Sequence, residues 1–523
     1  MSTNRQTKHG NSETENFSEH LERIERVENG LPPISLGRNQ LPLQLTLQKL
    51  MELYRIPGLS VAVIDNFEIA WAKGYGVIEA GRSNSVTTET MFQAGSVSKP
   101  VAAVGALFLA ERGKLLLDED VNQKLTTWKV PENEFTKEQK VTLRRILSHT
   151  AGLTVHFFPG YAVDSELPTL VQILRGEAPA NTDPIRVDFV PGARWRYSGG
   201  GVIVEQQLMM DVTAKQFPVL MREAVFDKIG MDHSSFEQPL APQYLELAAS
   251  GTSWNGNVVP GKWHVYPEMA AAGLWTTPTD LAKLAIEISL SRQGKSNRIL
   301  SPAGAHEMLT SQGESVTEFA LGNENYPDQM GLGFFLGDQT RPDLFGHIGD
   351  DEGFQAMLIM DSNSGKGAAI MANSQLGILL GDYLIENIAR EYGWKNHVSP
   401  HRPRLGADAI LIAIAQMEGV PAALKQYHLL KRTRPVRYTP DQNTLLLFSY
   451  FLLASNEIES AIEVMKLEVQ EYPGFWNAYD TLAEIYAAVG EKHLSIENYE
   501  KSIQLNPDNR NALEKMKKLT EQS

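Results

Sequence analysis

From Val101 to Ala110 the sequence reads VAAVGALFLA, a run without a single charge. A helix that is apolar on every side has to be buried on every side, so the run predicts a helix through the middle of a large core. Gly113, one residue past Arg112, supplies a left-handed stop. At the other end stand Ser96 and Lys99 in GSVSKP, and a spacing of three puts both on one face if the helix begins there. Charging an amine beside a dry core is costly, so a hydroxyl and an amine forced together at this position point to chemistry.

The chain has 523 residues, too many for one ordinary core, and predicts one large domain with something appended. Residues 1 to about 40 form a polar extension in which only Phe17 to Val27 reads as a short helix before Pro32-Pro33. Leu59 to Ile64 and Glu68 to Gly74 read as the strands of a hairpin turning at Asp65-Asn66. Leu344 to Gly346, Phe354 to Met360 and Gly367 to Ala372 read as three more strands, and about Ile378 to Arg390 as a helix. In the helical stretch between these groups, Thr277-Pro278-Thr279-Asp280 is a helix start with a capping threonine and proline at N1. Strands at both ends of a helical middle predict an antiparallel sheet assembled from distant segments, an α+β fold.

After Trp394 a link containing Pro400 and Pro403 leads into almost pure helix, which places a boundary near 395 and divides the chain into 1–40, 41–395 and 396–523. Pro473 and Pro507 each close a helical pair, and Leu445/Tyr479, Phe448/Leu482, Ser449/Ala483, Leu452/Tyr486, Ala461/Ser495 and Met465/Tyr499 occupy equivalent places 34 residues apart. This pattern resembles tetratricopeptide repeats, with a weaker pair over about 407–433 and a polar capping helix at 510–519. The resemblance implies an all-α domain that packs on its neighbour or holds a peptide in a groove.

Composition removes several function classes. With 48 basic against 63 acidic residues, a net charge of −15, and no dense basic cluster, nucleic acid is not an expected partner. The absence of cysteine excludes thiolate chemistry and disulfides. The amino terminus lacks the apolar core of a signal peptide and no run is long enough for a membrane span, so the expectation is a cytoplasmic protein. No ligand-spaced His, Cys or acidic cluster implies a metal, and no strand-linked Gly-rich loop implies a nucleotide, so no cofactor is expected.

A lone Ser-x-x-Lys is weak, since chance places about one in a chain of this length. Its company is stronger: VTLRRILSHTAGL (141–153), RWRYSGGG (194–201), AAAGLWTTPTDLAKL (270–284) and FGHIGDDEGF (345–354) follow in order. Together they resemble the class C β-lactamase and penicillin-binding-protein superfamily, especially its esterase and D-peptidase branch, over about 41–395. The resemblance implies an antiparallel sheet flanked by helices with a helical subdomain, and it assigns roles. Ser96 is the nucleophile, Lys99 and Tyr197 share proton transfer, and His347 stands where β-lactamases carry a lysine. The amides of Ser96 and Asp350 form an oxyanion hole, and Gly199, Gly349, Asp351 and Glu352 border the substrate. His149 is expected to support the site from a loop beneath it.

Two departures bear on substrate. Gly199 replaces the amide of the family's Tyr-x-Asn, and the third motif continues as Asp350-Asp351-Glu352, placing negative charge where β-lactams and D-alanyl termini carry a carboxylate. At 6–8 Å each such pair costs roughly 2 kcal/mol at an effective dielectric near 20. The expected reaction is therefore cleavage of small neutral or amine-bearing esters or amides, or of a peptide. The alternatives are a β-lactamase or D,D-carboxypeptidase, acyl transfer to an amine, and a scaffold whose hydrolase domain has lost its chemistry.

Overall fold

The computed structural model describes residues 19–30, 46–253, 256–313, 329–337, 341–395, 407–433, 439–507 and 509–521. They fall into two compact units, residues 56–253 with 257–395 and residues 19–55 with 407–521.

The first unit is built on a seven-stranded sheet. Its strands are β1 (Gly58–Asp65), β2 (Glu68–Gly76), β3 (Gln329–Met330), β4 (Phe335–Leu336), β5 (Leu344–Asp351), β6 (Phe354–Asp361) and β7 (Lys366–Ala372), in the spatial order β2-β1-β7-β6-β5-β4-β3. Every paired neighbour is antiparallel. Asn66 and Phe67, both at positive φ, make the tight turn between β1 and β2 that matches strand twist. The first and last segments of the sheet meet where Leu59 pairs with Ala372. β5 extends to Asp351, five residues beyond the Leu344–Gly346 expected from sequence, and carries His347 to Asp351 in its final turns of pleat.

Helix α1 (Ser98–Glu111) is the buried rod that its composition requires: Val101, Val104, Leu107 and Leu109 are all buried, each contributing about 1.5–3 kcal/mol relative to an exposed side chain. The helix ends at Arg112, after which Gly113 at φ +68 and Lys114 return their N–H groups to the carbonyls of Ala110 and Leu109. This pair of bonds is a Schellman closure. Around α1 lie α2 (Gly199–Thr213), the short α3 (Met269–Ala272) and α4 (Pro278–Arg292), while α5 (Gly377–Glu391) packs on β6 and β7. α4 starts on Thr277, whose hydroxyl accepts the Asp280 N–H. One continuous core joins α1, α2 and α4 to the inner face of the sheet through Phe92, Trp275, Phe345 and Phe354.

The second unit contains α6 (Ala407–Glu418), α7 (Val420–Thr433), α8 (Thr444–Ala454), α9 (Ile458–Glu471), α10 (Trp476–Ala488), α11 (Lys492–Leu505) and α12 (Arg510–Glu521). It also holds the helix Leu47–Leu53, drawn above into residues 41–395; the adjoining Tyr54 hydroxyl donates to Asp408. At two positions of the 34-residue pattern small residues are fully buried, Ser449 with Ala483 and Ala461 with Ser495. The Ser495 hydroxyl donates to the Ala483 carbonyl at 2.8 Å, so the helices approach closely there. Among the described residues, no helix is long and apolar enough to cross a membrane.

Candidate active site

Ser96 does not sit in α1 itself. It occupies a single 3-10 turn, Gly95–Val97, that runs directly into the helix. The tighter turn is set by Gly95 at φ +51, a conformation that costs glycine nothing. Lys99 follows on the first turn of α1 and returns to the serine: Nζ lies 2.8 Å from Ser96 Oγ and 2.8 Å from the Ala271 carbonyl. Pro100 costs no hydrogen bond, because first-turn amides have no partner within the helix.

Lys99 is 3% exposed. Burial lowers its amine to about 7, opposed by the nearby carboxyls of Asp351 and Glu205. Burial thus brings the neutral amine within reach near pH 7, which is what a base for a serine hydroxyl requires. The Lys99 Nζ stands 5.0 Å from the centre of the Tyr197 ring. Burial raises the Tyr197 phenol, while its hydrogen bond with Ser96 works the other way. The site thus pairs an amine lowered toward neutrality with a neutral phenol.

His347 on β5 is 3% exposed and held down to about 3 by burial, then by Lys99. It is a neutral imidazole at any working pH. Its Nδ1 lies 2.6 Å from the Ile348 carbonyl, and its Nε2 has no hydrogen-bond partner among the described residues. Tyr197 and Phe335 stack at 6.3 Å, and Phe335 meets the His347 ring at 4.8 Å, so one aromatic wall carries both candidate residues. Ser96, Lys99, Tyr197 and His347, spread over nearly half of the chain, are thereby brought together.

The nucleophile turn and β5 touch backbone to backbone. A side chain on Gly349 would overlap the Ala94 carbonyl and come within 2.9 Å of the Ser96 nitrogen, and one on Gly95 would stand 2.5 Å from the Asp350 nitrogen. Only glycine at both positions permits this approach, which brings the backbone of Ser96 close to that of Asp350.

Two of the expected substrate contacts are placed differently. Strand alternation exposes Asp350 and turns Asp351 inward, where its carboxyl accepts the Gly95 N–H and burial pushes it well above the usual carboxylate range. Asp351 braces the nucleophile turn and brings little negative charge to the substrate. Glu352 stays half-buried, its N–H donating to the Tyr266 hydroxyl at 3.0 Å. At Gly199 a Cβ would meet the His156 carbonyl and the Phe158 ring, each at 3.0 Å. Phe158 therefore fills the space beside the missing amide, and Gly199 lines the site without reaching into it.

Sequence reasoning gave His149 a supporting place, and its buried ring packs 4.4 Å from that of Tyr197 while Nδ1 accepts the Ser198 N–H at 3.2 Å. It missed His156, which reaches the Tyr197 carbonyl through Nδ1 at 3.0 Å. It also missed Glu205, fully buried on α2 with neither carboxyl oxygen partnered among the described residues. Glu205 could have been noticed as the single charge in VIVEQQLMM.

A family model described as Beta-lactamase matches residues 43–391. Among curated proteins, the chain is 27% identical over 247 residues to "Unguisins hydrolase ungD" of Aspergillus violaceofuscus, covering 43% of this chain and 40% of that one. It is 24% identical over 294 residues to "Teichoic acid D-alanine hydrolase" of Staphylococcus aureus, covering 55% and 66%. The aligned part spans less than half the length of the unguisin hydrolases. Among solved structures, the penicillin-binding protein from Bacillus halodurans superposes with a TM-score of 0.52 at 19% identity over 66% of this chain and 99% of that one. The octameric penicillin-binding protein homologue from Pyrococcus abyssi superposes at 0.53 and 22%, over 66% and 77%. With a match that runs through the sheet, α1 and the whole constellation around Ser96, the chain belongs to the beta-lactamase family.

Proposed function

We propose that this protein is a serine hydrolase that acts through an acyl-Ser96 intermediate on small esters or amides, favouring substrates that carry a free amine near the scissile bond. The observation that carries the reading is the buried Lys99 amine within 2.8 Å of Ser96 Oγ. Neutral Lys99 takes the serine proton as Oγ attacks the carbonyl carbon. The tetrahedral oxyanion is received by the amides of Ser96 and Asp350. The proton then passes from Lys99 by way of the Tyr197 hydroxyl to the departing alkoxide or amine, and water repeats the sequence on the ester. His347 stays neutral throughout and offers no cation to a substrate carboxylate. Exposed Asp350 and half-buried Glu352 favour an ammonium group, which is also the chemistry of the D-alanyl ester named for the staphylococcal relative.

A second reading, β-lactam or D,D-peptide hydrolysis, draws on the inward turn of Asp351, which removes one of the charges that would repel a carboxylate. Labelling by a fluorophosphonate probe, followed by a screen of p-nitrophenyl esters, D- and L-amino acid amides and nitrocefin, decides between them. Ser96→Ala is expected to abolish labelling, and nitrocefin turnover on a par with ester turnover would replace the first reading by the second. For the second unit, the 34-residue pattern of helical pairs supports a tetratricopeptide-like array that offers a surface to a peptide.

A further inference from the structure

The Ala271 carbonyl that accepts from Lys99 belongs to a segment held from two sides. On one side Leu274 donates its N–H to Ser98 Oγ at 3.0 Å, from the first turn of α1. On the other, Gln206 reaches from α2, where it is 2% exposed. Its Oε1 accepts the Ala270 N–H at 2.9 Å and its Nε2 donates to the Pro267 carbonyl at 3.2 Å. Gln206 thus grips both ends of the turn that carries Glu268 and α3, and nothing in the mechanism above uses it.

The lysine side chain has four rotatable carbons and reaches its two partners only if both are fixed. One of them, Ser96 Oγ, is esterified halfway through the reaction and then no longer has a proton to exchange. The Ala271 carbonyl is the partner that persists, so its position decides whether Nζ still points at the reacting atoms when water must be activated. A side-chain amide supplies one acceptor and one donor at once, as the Ala270 N–H and the Pro267 carbonyl require. A carboxylate in its place would set an oxygen against the Pro267 carbonyl, and an apolar chain would leave both backbone groups buried without partners.

We infer that Gln206 is a positioning residue for the reaction: by gripping Pro267 and Ala270 it fixes the Ala271 carbonyl, which holds Lys99 Nζ on Ser96. The inference rests on the reading of Lys99 as the base. Lys99 is faced by the Ser96 hydroxyl, the Tyr197 ring, the imidazoles of His149 and His347, and the carboxyls of Glu205 and Asp351. All of these remain in place in the variants below.

The full chain is compared with Gln206→Leu, Gln206→Glu and Gln207→Ala; Gln207 is a buried amide on the same helix that binds Asp211 and not the segment. The readouts are the rate of fluorophosphonate labelling, kcat and KM for p-nitrophenyl acetate, and the acidic limb of kcat/KM. Gln206→Leu is expected to slow labelling and kcat at least about tenfold, with KM within about twofold and a displaced acidic limb, whereas Gln207→Ala stays within about twofold. Gln206→Glu is expected to be impaired at pH 8 and to recover relative to wild type as pH falls, because a protonated carboxyl again donates to Pro267; it carries the test if the leucine variant does not fold. Unchanged labelling in a folded Gln206 variant overturns the inference, as does an equal loss in Gln207→Ala. Absence of labelling in the wild type overturns the acyl-serine reading itself, and is told apart by affecting every variant alike.

Discussion

Lys99 and the two carboxyls that face it share too few favourable places for charge. Burial pulls the amine down to about 7 and pushes Glu205 well above its usual range, while each raises the cost of neutralising the other. With Lys99 as base, kcat/KM rises with pH through an apparent pKa near 7 as the ammonium loses its proton. Burial keeps the proton on Glu205 near pH 7, so Glu205→Gln, which replaces one neutral group by another, is expected to leave this limb in place. A pH–rate profile checks it, and a limb moved to lower pH would mean that Glu205 carries charge beside Lys99, because an anion there favours the ammonium. Tyr197→Phe keeps the ring that stacks on Phe335 and removes only the hydroxyl to which the proposed mechanism gives the proton relay. Its kcat is expected to fall about 10²-fold or more while thermal stability changes little.

The nucleophile turn and β5 act as one element because glycine lets their backbones meet. Gly349→Ala would press a methyl on the Ala94 carbonyl and the Ser96 nitrogen, and backbone on both sides cannot yield as a side chain could. Its expected effect is a lower melting temperature together with a loss of about 10²-fold in kcat, the scale of an oxyanion donor moved out of place; melting curves and ester kinetics on the same preparation measure both. The pairing of β1 with β2 and the capped start of α4 were legible in sequence, since turn residues and hydrophobic period announce them. β5 was legible only as far as Gly346 because HIGDD breaks the apolar alternation that marks a strand. The same alternation, carried five residues further, would have turned Asp351 inward and left Asp350 outside. Ser96 and Lys99 were legible from three-residue spacing beside an apolar helix. The grip of Gln206 on Pro267 and Ala270 was not, because it joins segments about 60 residues apart and no local pattern records which backbone groups a buried amide will meet.

The formal net charge of −15 treats every acid as ionised, and the folded chain does not. Burial raises Glu205, Glu268 and Asp351 in the first unit and Glu468 in the second, with Glu268 and Glu468 both reaching about 8. Each of these groups holds a proton in the folded chain that it has released in the unfolded one, so its contribution to stability is complete below the unfolded value, 4.5 for the glutamates and 3.8 for Asp351, and is lost as pH rises through the folded value. Lys99 runs the other way between about 7 and 10.5, and the buried imidazoles of His149 and His347 run the other way up to their unfolded value near 6.5. Above pH 7 the histidines no longer contribute and Lys99 stands against several carboxyls, so the melting temperature is expected to fall between pH 7 and pH 9. Glu468 isolates the effect in the helical unit: it is fully buried on α9, and neither carboxyl oxygen has a partner among the described residues. The other charges around it are Asp441, Lys431 and Glu471, of which the last two pair with each other. Glu468→Gln keeps the shape and removes the charge that alkaline pH forces on this site, so it is expected to raise the melting temperature at pH 9 while leaving it nearly unchanged at pH 5. Circular dichroism melts of the full chain at both values measure this, and an equal shift at the two pH values would mean that packing of the amide, rather than the proton on Glu468, sets the difference.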